Sequence, residues 1–145
     1  MNKDARYDLQ RFRQAQEQDY STALSEIRRG RKQSHWIWYV FPQIAGLGFS
    51  DTSIYYAIRD INEAKLYLED ELLRGHLLEI CGALLELETN DATAVMGSPD
   101  DMKLRSSMTL FAEAAPHIDI FQRVLDKYFG GRKDERTLAL LRRAK

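Results

Sequence analysis

The stretch LLRGHLLEICGALLEL, residues 72–87, decides the fold class of this chain. Its apolar side chains recur at steps of three and four residues: Leu73, Leu77, Ile80, Leu84 and Leu87. That spacing places them on one stripe along a helix of about four turns. The segment is therefore predicted to be an amphipathic helix that buries one face.

Similar but shorter patterns occupy most of the remaining chain. Residues 9–16 and 20–29 are predicted to be two helices, with Asp8 as the cap of the first and Gly30 as the end of the second. Further helices are predicted at 92–96, 99–115, 118–129 and 137–143. Short connections and a lack of paired alternating segments favour an all-α fold. We predict a compact single-domain bundle of about eight or nine mostly short helices over residues 1–145.

The composition excludes several classes of protein. The chain has 21 basic and 22 acidic residues, so its overall charge gives no reason to expect nucleic acid or an anionic membrane as partner. No apolar run is long enough for a membrane helix, and the charged start does not resemble a signal peptide. The single cysteine, Cys81, forms no intramolecular disulfide. We expect a cytoplasmic protein.

The segment RKQSHWIWYVFPQIAGLGFS, residues 31–50, combines aromatic and basic side chains. Ser34 is predicted to cap a short helix over residues 34–41 that carries Trp36 and Trp38. One interpretation is a helix buried in the core. The other is the wall of a binding site, because a helix start beside Arg31 and His35 can bind an anion. The same ambiguity holds for the loop that follows, where glycines allow either a turn with positive φ or a close approach to a ligand.

A second segment, GSPDDMKLRSSMTLF at residues 97–111, opens another helix. Ser98 and Asp101 are predicted to form a capping box around a proline in the first turn. Further along, hydroxyl-bearing residues lie within an apolar helix, where their helix propensity is poor. Close helix packing with bonds to the preceding turn explains them. The alternative is a polar wall of a site, with Lys103 as its charge.

Both segments are similar to the most distinctive blocks of a mainly bacterial family, the domain-of-unknown-function family numbered eighteen-ten. Further matching stretches are DLQRFRQAQ, YYAIRDINEAKLYLEDELL and YFGGRKDERTLALL, so the resemblance covers almost the whole chain. It implies an all-α fold in one domain and assigns no reaction. Members are often labelled calpastatin, whose inhibitory segments are polar and disordered, unlike this chain. A weaker similarity is to small domains associated with ADP-ribose metabolism.

The two blocks together predict a pocket that holds a small anionic ligand, with nucleotide- and ADP-ribose-derived compounds as candidates. His35 and Lys103 are the candidates for any acid–base or catalytic role. The ligand-binding candidates are Arg31, Trp36, Trp38, Gln43, Asp100, Ser106, Ser107 and Thr109. No metal site and no cofactor are predicted, because the three histidines lie in separate segments. The alternative function is a non-enzymatic domain for protein–protein interaction or homodimerisation, and the sequence predicts no particular oligomeric state.

Overall fold

Nine helices and no sheet make up residues 7–143, the part of the chain that the computed structural model describes. In chain order they are α1 (Gln10–Arg28), α2 (Ile37–Val40), α3 (Asp51–Tyr55), α4 (Ile61–Glu69), α5 (Glu71–Glu86), α6 (Ala92–Met96), α7 (Asp100–Ala114), α8 (Ile120–Phe129) and α9 (Glu135–Arg143). The predicted all-α fold is thus confirmed. Within this range, none of the helices is both long and apolar enough to span a bilayer.

Helix α5 forms where the apolar stripe predicts it. Asp70 caps its start by accepting a hydrogen bond from the Leu73 amide at 3.0 Å. The stripe residues Leu77, Ile80 and Leu84 are buried, and α5 packs against α1, α4 and α8. Burying one face in this way stabilises the helix far more than its intrinsic propensity does.

Helix α1 corrects the prediction of two helices at 9–16 and 20–29. It is one continuous helix of 19 residues, and Leu9 rather than Asp8 occupies its cap position. Residues 17–19 are polar, but none of them breaks a helix. Gln16 and Tyr20 are both buried on the same side, so the core contacts continue across this polar stretch.

Helix α7 is the centre of the bundle and contacts α2, α4, α6, α8 and α9. Its start differs from the predicted capping box, because no side chain caps it and Pro99 lies at the cap position. Asp101 instead accepts a hydrogen bond from the Thr93 hydroxyl at 2.6 Å. The carboxylate therefore ties α6 to α7, since α6 ends only a few residues before α7 begins.

A buried ion pair fixes the connection between α3 and α4. The Arg11 guanidinium lies 3.1 Å from a Glu63 carboxylate oxygen. Arg11 also donates to the carbonyls of Tyr55 at 2.8 Å and Ala57 at 2.9 Å. The other Glu63 oxygen accepts from the Arg59 amide at 2.7 Å. Because several hydrogen bonds satisfy each charge, the pair holds residues 55–59 against α1.

Replacing Arg11 with alanine is expected to destabilise the protein by about 3–5 kcal/mol, because Glu63 then stays buried without its partner. The free energy of unfolding from urea denaturation at neutral pH measures the effect. Arg29→Ala is the matched control, since Arg29 is exposed just beyond α1 and should change stability by less than about 0.5 kcal/mol. A loss below about 1 kcal/mol for Arg11→Ala would show that the pair does not hold the connection.

Candidate functional site

A pocket of about 530 Å³ opens between the loop at residues 43–49, helix α3 and the starts of α7 and α9. Such a volume is typical of small-molecule sites. Most of its lining is apolar, contributed chiefly by Trp38, Ile44, Leu47, Ile54, Tyr56 and Met102. The charged groups of the lining are Lys103, Asp134 and Arg136. The two sequence segments singled out above therefore meet at one pocket.

A short parallel bridge between Ile44 and Ile58 positions the pocket loop. The Ala45 amide donates to the Ile58 carbonyl, and the Ile58 amide donates to the Gln43 carbonyl, both at 2.8 Å. Gly46 follows with φ +105, where a side chain would also meet Leu140 at 3.0 Å. This glycine is thus required by the backbone turn, and the bridge anchors the loop next to it.

Three large apolar side chains at the pocket are unusually exposed. Phe49 is 86% exposed, Ile54 61% and Met102 50%. Single exposed apolar residues are common on protein surfaces, whereas a group of them around a concave site indicates a binding surface. The pocket mouth is therefore an apolar surface that a ligand or partner can reach.

Lys103 is held at the pocket by an aromatic ring and a carboxylate. Its ammonium lies 4.7 Å from the centroid of the Trp38 ring, a cation–π contact. It also lies 3.4 Å from Asp100, whose other oxygen is 2.7 Å from the Lys32 ammonium. The structure thus brings together Lys103, Trp38 and Asp100, three of the residues that the sequence proposes for the site.

Arg136 belongs to the pocket but was missed by sequence reasoning. It is exposed in the first turn of α9, and no residue between 7 and 143 forms an ion pair or hydrogen bond with its side chain. In the sequence it is one of several basic residues on a short helix. Only the packing of α9 against α7 shows that it lies at the same pocket as Lys103.

The Ser34 segment is organised by an internal anion. One oxygen of Glu26 accepts from the amides of Gln33 at 2.7 Å and Ser34 at 2.9 Å, and from the Trp36 indole at 2.9 Å. The other accepts from the Ser34 hydroxyl at 2.5 Å. Ser34 therefore does not cap a helix, and α2 begins only at Ile37. The segment that the sequence proposes as an anion-binding helix start therefore binds the protein's own Glu26 carboxylate.

The Glu26 carboxylate is kept ionised inside the protein. Burial disfavours its charged form, but the hydrogen bonds from Ser34, Gln33 and Trp36 outweigh burial and lower the pKa of Glu26 to about 2. Trp36 is only 1% exposed and is committed to this carboxylate, so it faces the core rather than the pocket. The ring available at the pocket is that of Trp38.

Arg31 and His35 lie outside the pocket lining. Both side chains are exposed. The pair of His35 and Lys103 proposed for acid–base chemistry is therefore not assembled at the pocket, because only Lys103 lines it. Gln43 does line it, and its backbone is fixed by the bridge to Ile58.

The hydroxyls of α7 dock the start of α9. The single hydrogen of the Ser106 hydroxyl is shared between the Asp134 carboxylate at 2.8 Å and the Met102 carbonyl at 3.2 Å. Thr109 donates to the Arg105 carbonyl at 2.8 Å and accepts from the Asp134 amide at 2.8 Å. Packing with bonds to the preceding turn thus explains both residues, although Ser106 also lines the pocket.

Ser107 is fully buried and does not line the pocket. Its hydroxyl oxygen has no hydrogen-bond partner among the described residues. Its hydroxyl is therefore not placed to reach a ligand in this pocket. Among residues 7–143, no three histidine, cysteine or carboxylate side chains cluster so that they could hold a metal ion.

Comparison with known proteins supports the fold and leaves the activity open. The model of a family described as "protein of unknown function (DUF1810)" matches residues 6–141. The crystal structure of the conserved hypothetical protein Rv1873 from Mycobacterium tuberculosis shares 44% sequence identity, with a TM-score of 0.92. The similarity covers 94% of this chain and 97% of that one. Among curated proteins, no match was found.

The Glu26→Gln substitution is expected to make the free energy of unfolding less dependent on pH in the acidic range. The folded-state pKa of about 2 lies below the ordinary value of a glutamate, so the stabilisation is fully present above about pH 4.3 and is lost as the pH falls towards 2. At neutral pH the loss should be on the order of 3 kcal/mol. Free energies of unfolding of the wild type and the variant, measured from acidic to neutral pH, test this difference.

The exposed Glu17 of the same helix provides the control substitution Glu17→Gln. That variant should follow the wild-type pH profile throughout. If the difference between wild type and Glu26→Gln stayed constant as the pH fell, Glu26 would not be the ionised centre of this cluster.

Proposed function

We propose that this chain, which belongs to the DUF1810 family, binds a small anionic ligand in the pocket between Trp38, α7 and α9. The observation that carries the proposal is that Lys103 and Arg136 line a pocket that is otherwise mostly apolar. Cationic groups at the edge of an apolar cavity fix the orientation of a ligand whose body is buried. The proposed contacts are Trp38, Gln43, Lys103 and Arg136.

The charges at the pocket favour an anion because its lining has two cationic side chains and one carboxylate. Asp134 accepts hydrogen bonds from the Ser106 hydroxyl at 2.8 Å and the Thr137 hydroxyl at 2.5 Å. Asp100 is shared between Lys32 and Lys103. An ammonium carries three N–H donors, and no side chain or carbonyl in the described range accepts a hydrogen bond from Lys103. Lys103 and Arg136 therefore remain able to donate to a ligand.

Neutral donors are also present at the pocket. The backbone of residues 46–49 forms part of one wall, and within residues 7–143 no group accepts a hydrogen bond from the amides of Gly46, Gly48 and Phe49. Gln43, whose side chain carries an amide donor, also lines the pocket. Donors of this kind complement charged groups around a carboxylate or phosphate.

The lining supports binding better than catalysis. Of the described residues that form it, none is a histidine or cysteine. Burial, together with the neighbouring Tyr55, raises the pKa of the Tyr56 phenol above its ordinary value, so it remains protonated at neutral pH. The Asp134 carboxylate caps α9. A group free to act as general base is therefore not part of our proposal.

We place this binding in the cytoplasm. The single cysteine, Cys81, is a free and fully buried thiol, as suits a reducing compartment. Nucleotide- and ADP-ribose-derived compounds and carboxylated metabolites are the cytoplasmic anions to be considered.

The second candidate function is association with another protein or with a second copy of the chain. It is favoured by the exposed side chains of Phe49, Ile54 and Met102. Exposed apolar residues around a concave surface also occur where a partner docks. A ligand in the pocket and a partner on its mouth would bury the same side chains, so the two proposals compete.

A panel of anionic metabolites is expected to contain compounds that raise the melting temperature of the wild-type protein. At a concentration of about 100 times the dissociation constant, binding adds about 2.7 kcal/mol, which corresponds to roughly 5–10 °C here. The Lys103→Ala/Arg136→Ala double variant should lose most of that shift. Differential scanning fluorimetry measures both proteins.

The matched control is His35→Ala, because His35 is exposed and lies outside the lining. It should keep the wild-type shift. If no anion in the panel stabilises the wild type, the ligand proposal fails. Self-association would then be favoured if the wild-type mass measured by light scattering rises with protein concentration. The Phe49→Ser variant should show a lower mass than the wild type at the same concentration.

A further inference from the structure

We infer that the pocket selects an anion with a single charge and an apolar body, such as an aromatic or branched aliphatic carboxylate, in preference to a nucleotide or another phosphate. This inference rests on the proposed function, because it names the chemical class of ligand for the same pocket. Three independent features of the site carry it: the charge of its lining, the acidic helix starts and the apolar surface.

The charged side chains that line the pocket sum to one net positive charge. Lys103 and Arg136 face one carboxylate, Asp134, within the lining. Adding the neighbouring pair of Lys32 and Asp100 leaves that balance unchanged. A phosphate monoester carries about −1.5 to −2 at pH 7 and a carboxylate only one charge. A carboxylate is therefore matched by the pocket, whereas a phosphate or pyrophosphate leaves negative charge without a partner.

The acidic residues at the two helix starts next to the pocket disfavour a phosphate there. Phosphate sites commonly use a helix N-terminus, where free amides and the dipole favour negative charge. At α7, the amides of Met102 and Lys103 donate to the Pro99 carbonyl at 3.0 and 3.3 Å, and two aspartates occupy the first turn. At α9, the Asp134 carboxylate takes the Thr137 amide at 3.3 Å. At α7 a backbone carbonyl therefore takes the amides next to two aspartates, and at α9 the Asp134 carboxylate occupies the cap position.

The apolar surface at the mouth requires an apolar ligand body. The exposed fractions of Phe49, Ile54 and Met102 leave a large area that is in contact with water in the free protein. Burying such area is worth about 25 cal/mol per Å², which a sugar or a polyphosphate does not supply. Trp38 offers a partly exposed ring beside Lys103. A planar or branched hydrocarbon with one carboxylate meets both requirements.

Calorimetric titration with a matched series of probes tests the inference. 2-Naphthoate, 2-naphthyl phosphate and 2-naphthalenemethanol share one apolar body and differ in their charge, and ADP-ribose represents the nucleotide-derived class. We expect 2-naphthoate to bind at least about tenfold more tightly than the other three. In Arg136→Ala the preference of 2-naphthoate over the alcohol should shrink, while the affinity for the alcohol stays unchanged. His35→Ala should behave as wild type.

The outcomes separate this inference from the proposed function. If 2-naphthyl phosphate or ADP-ribose binds more tightly than 2-naphthoate, and that binding is lost in the Lys103→Ala/Arg136→Ala variant, an anion site exists and the inferred class is wrong. If 2-naphthoate and the alcohol bind equally, charge plays no part and both proposals fall. If no probe of the series binds, the inferred class is wrong, and the metabolite panel decides the proposed function by itself.

Discussion

Helix α7 is almost without a solvent-facing side from Leu104 to Ala112, and the rest of the architecture depends on this constraint. Most buried hydroxyls are hydrogen-bonded inside the protein, and in this segment the Ser107 hydroxyl is the exception. Ser106 and Thr109 find their partners in the preceding turn and in Asp134. The start of α9 is thereby fixed against α7, and Arg136 is placed at the pocket as a result.

Buried carboxylates organise the segments that helices alone do not fix. Glu26 gathers the amides and side chains of residues 33–36, and Glu63 together with Arg11 holds the end of α3. Asp134, which is only half-buried, has a similar role at the start of α9. Each of these groups accepts two or more hydrogen bonds, which is what makes a buried charge tolerable. Three segments are thus organised around carboxylates of the protein itself, and two of them, residues 55–59 and the start of α9, border the pocket.

Helix periodicity was sufficient to predict the fold, because apolar spacing reports directly on which face is buried. Helices α5, α6 and α8 lie close to where the sequence places them. The break expected inside α1 is absent because tertiary contacts of Gln16 and Tyr20 outweigh a polar stretch. The start expected at Ser34 is wrong because nothing in a local pattern shows that Glu26, in the preceding helix, folds back onto it.

The site could be predicted only in part. Residue types were enough to select Trp38, Gln43, Lys103 and Ser106, which line the pocket, since aromatic and polar residues within apolar segments require an explanation. The same argument also selected Trp36, which the Glu26 carboxylate explains. Arg136 could not be predicted from the sequence, because its place at the pocket depends on how α9 packs against α7. Local sequence shows which residues need partners, and tertiary structure decides which partners they receive.

The contrast between the two tryptophans gives the protein a pair of natural optical reporters. They are the only tryptophans in the chain and lie two positions apart. The Trp36 indole is sealed in the core with its N–H on a carboxylate, whereas the Trp38 ring lies at the pocket under an ammonium group. Indole emission depends on local polarity and charge. The core and the pocket of this small bundle can therefore be followed separately in solution, without any added label, by replacing one tryptophan at a time.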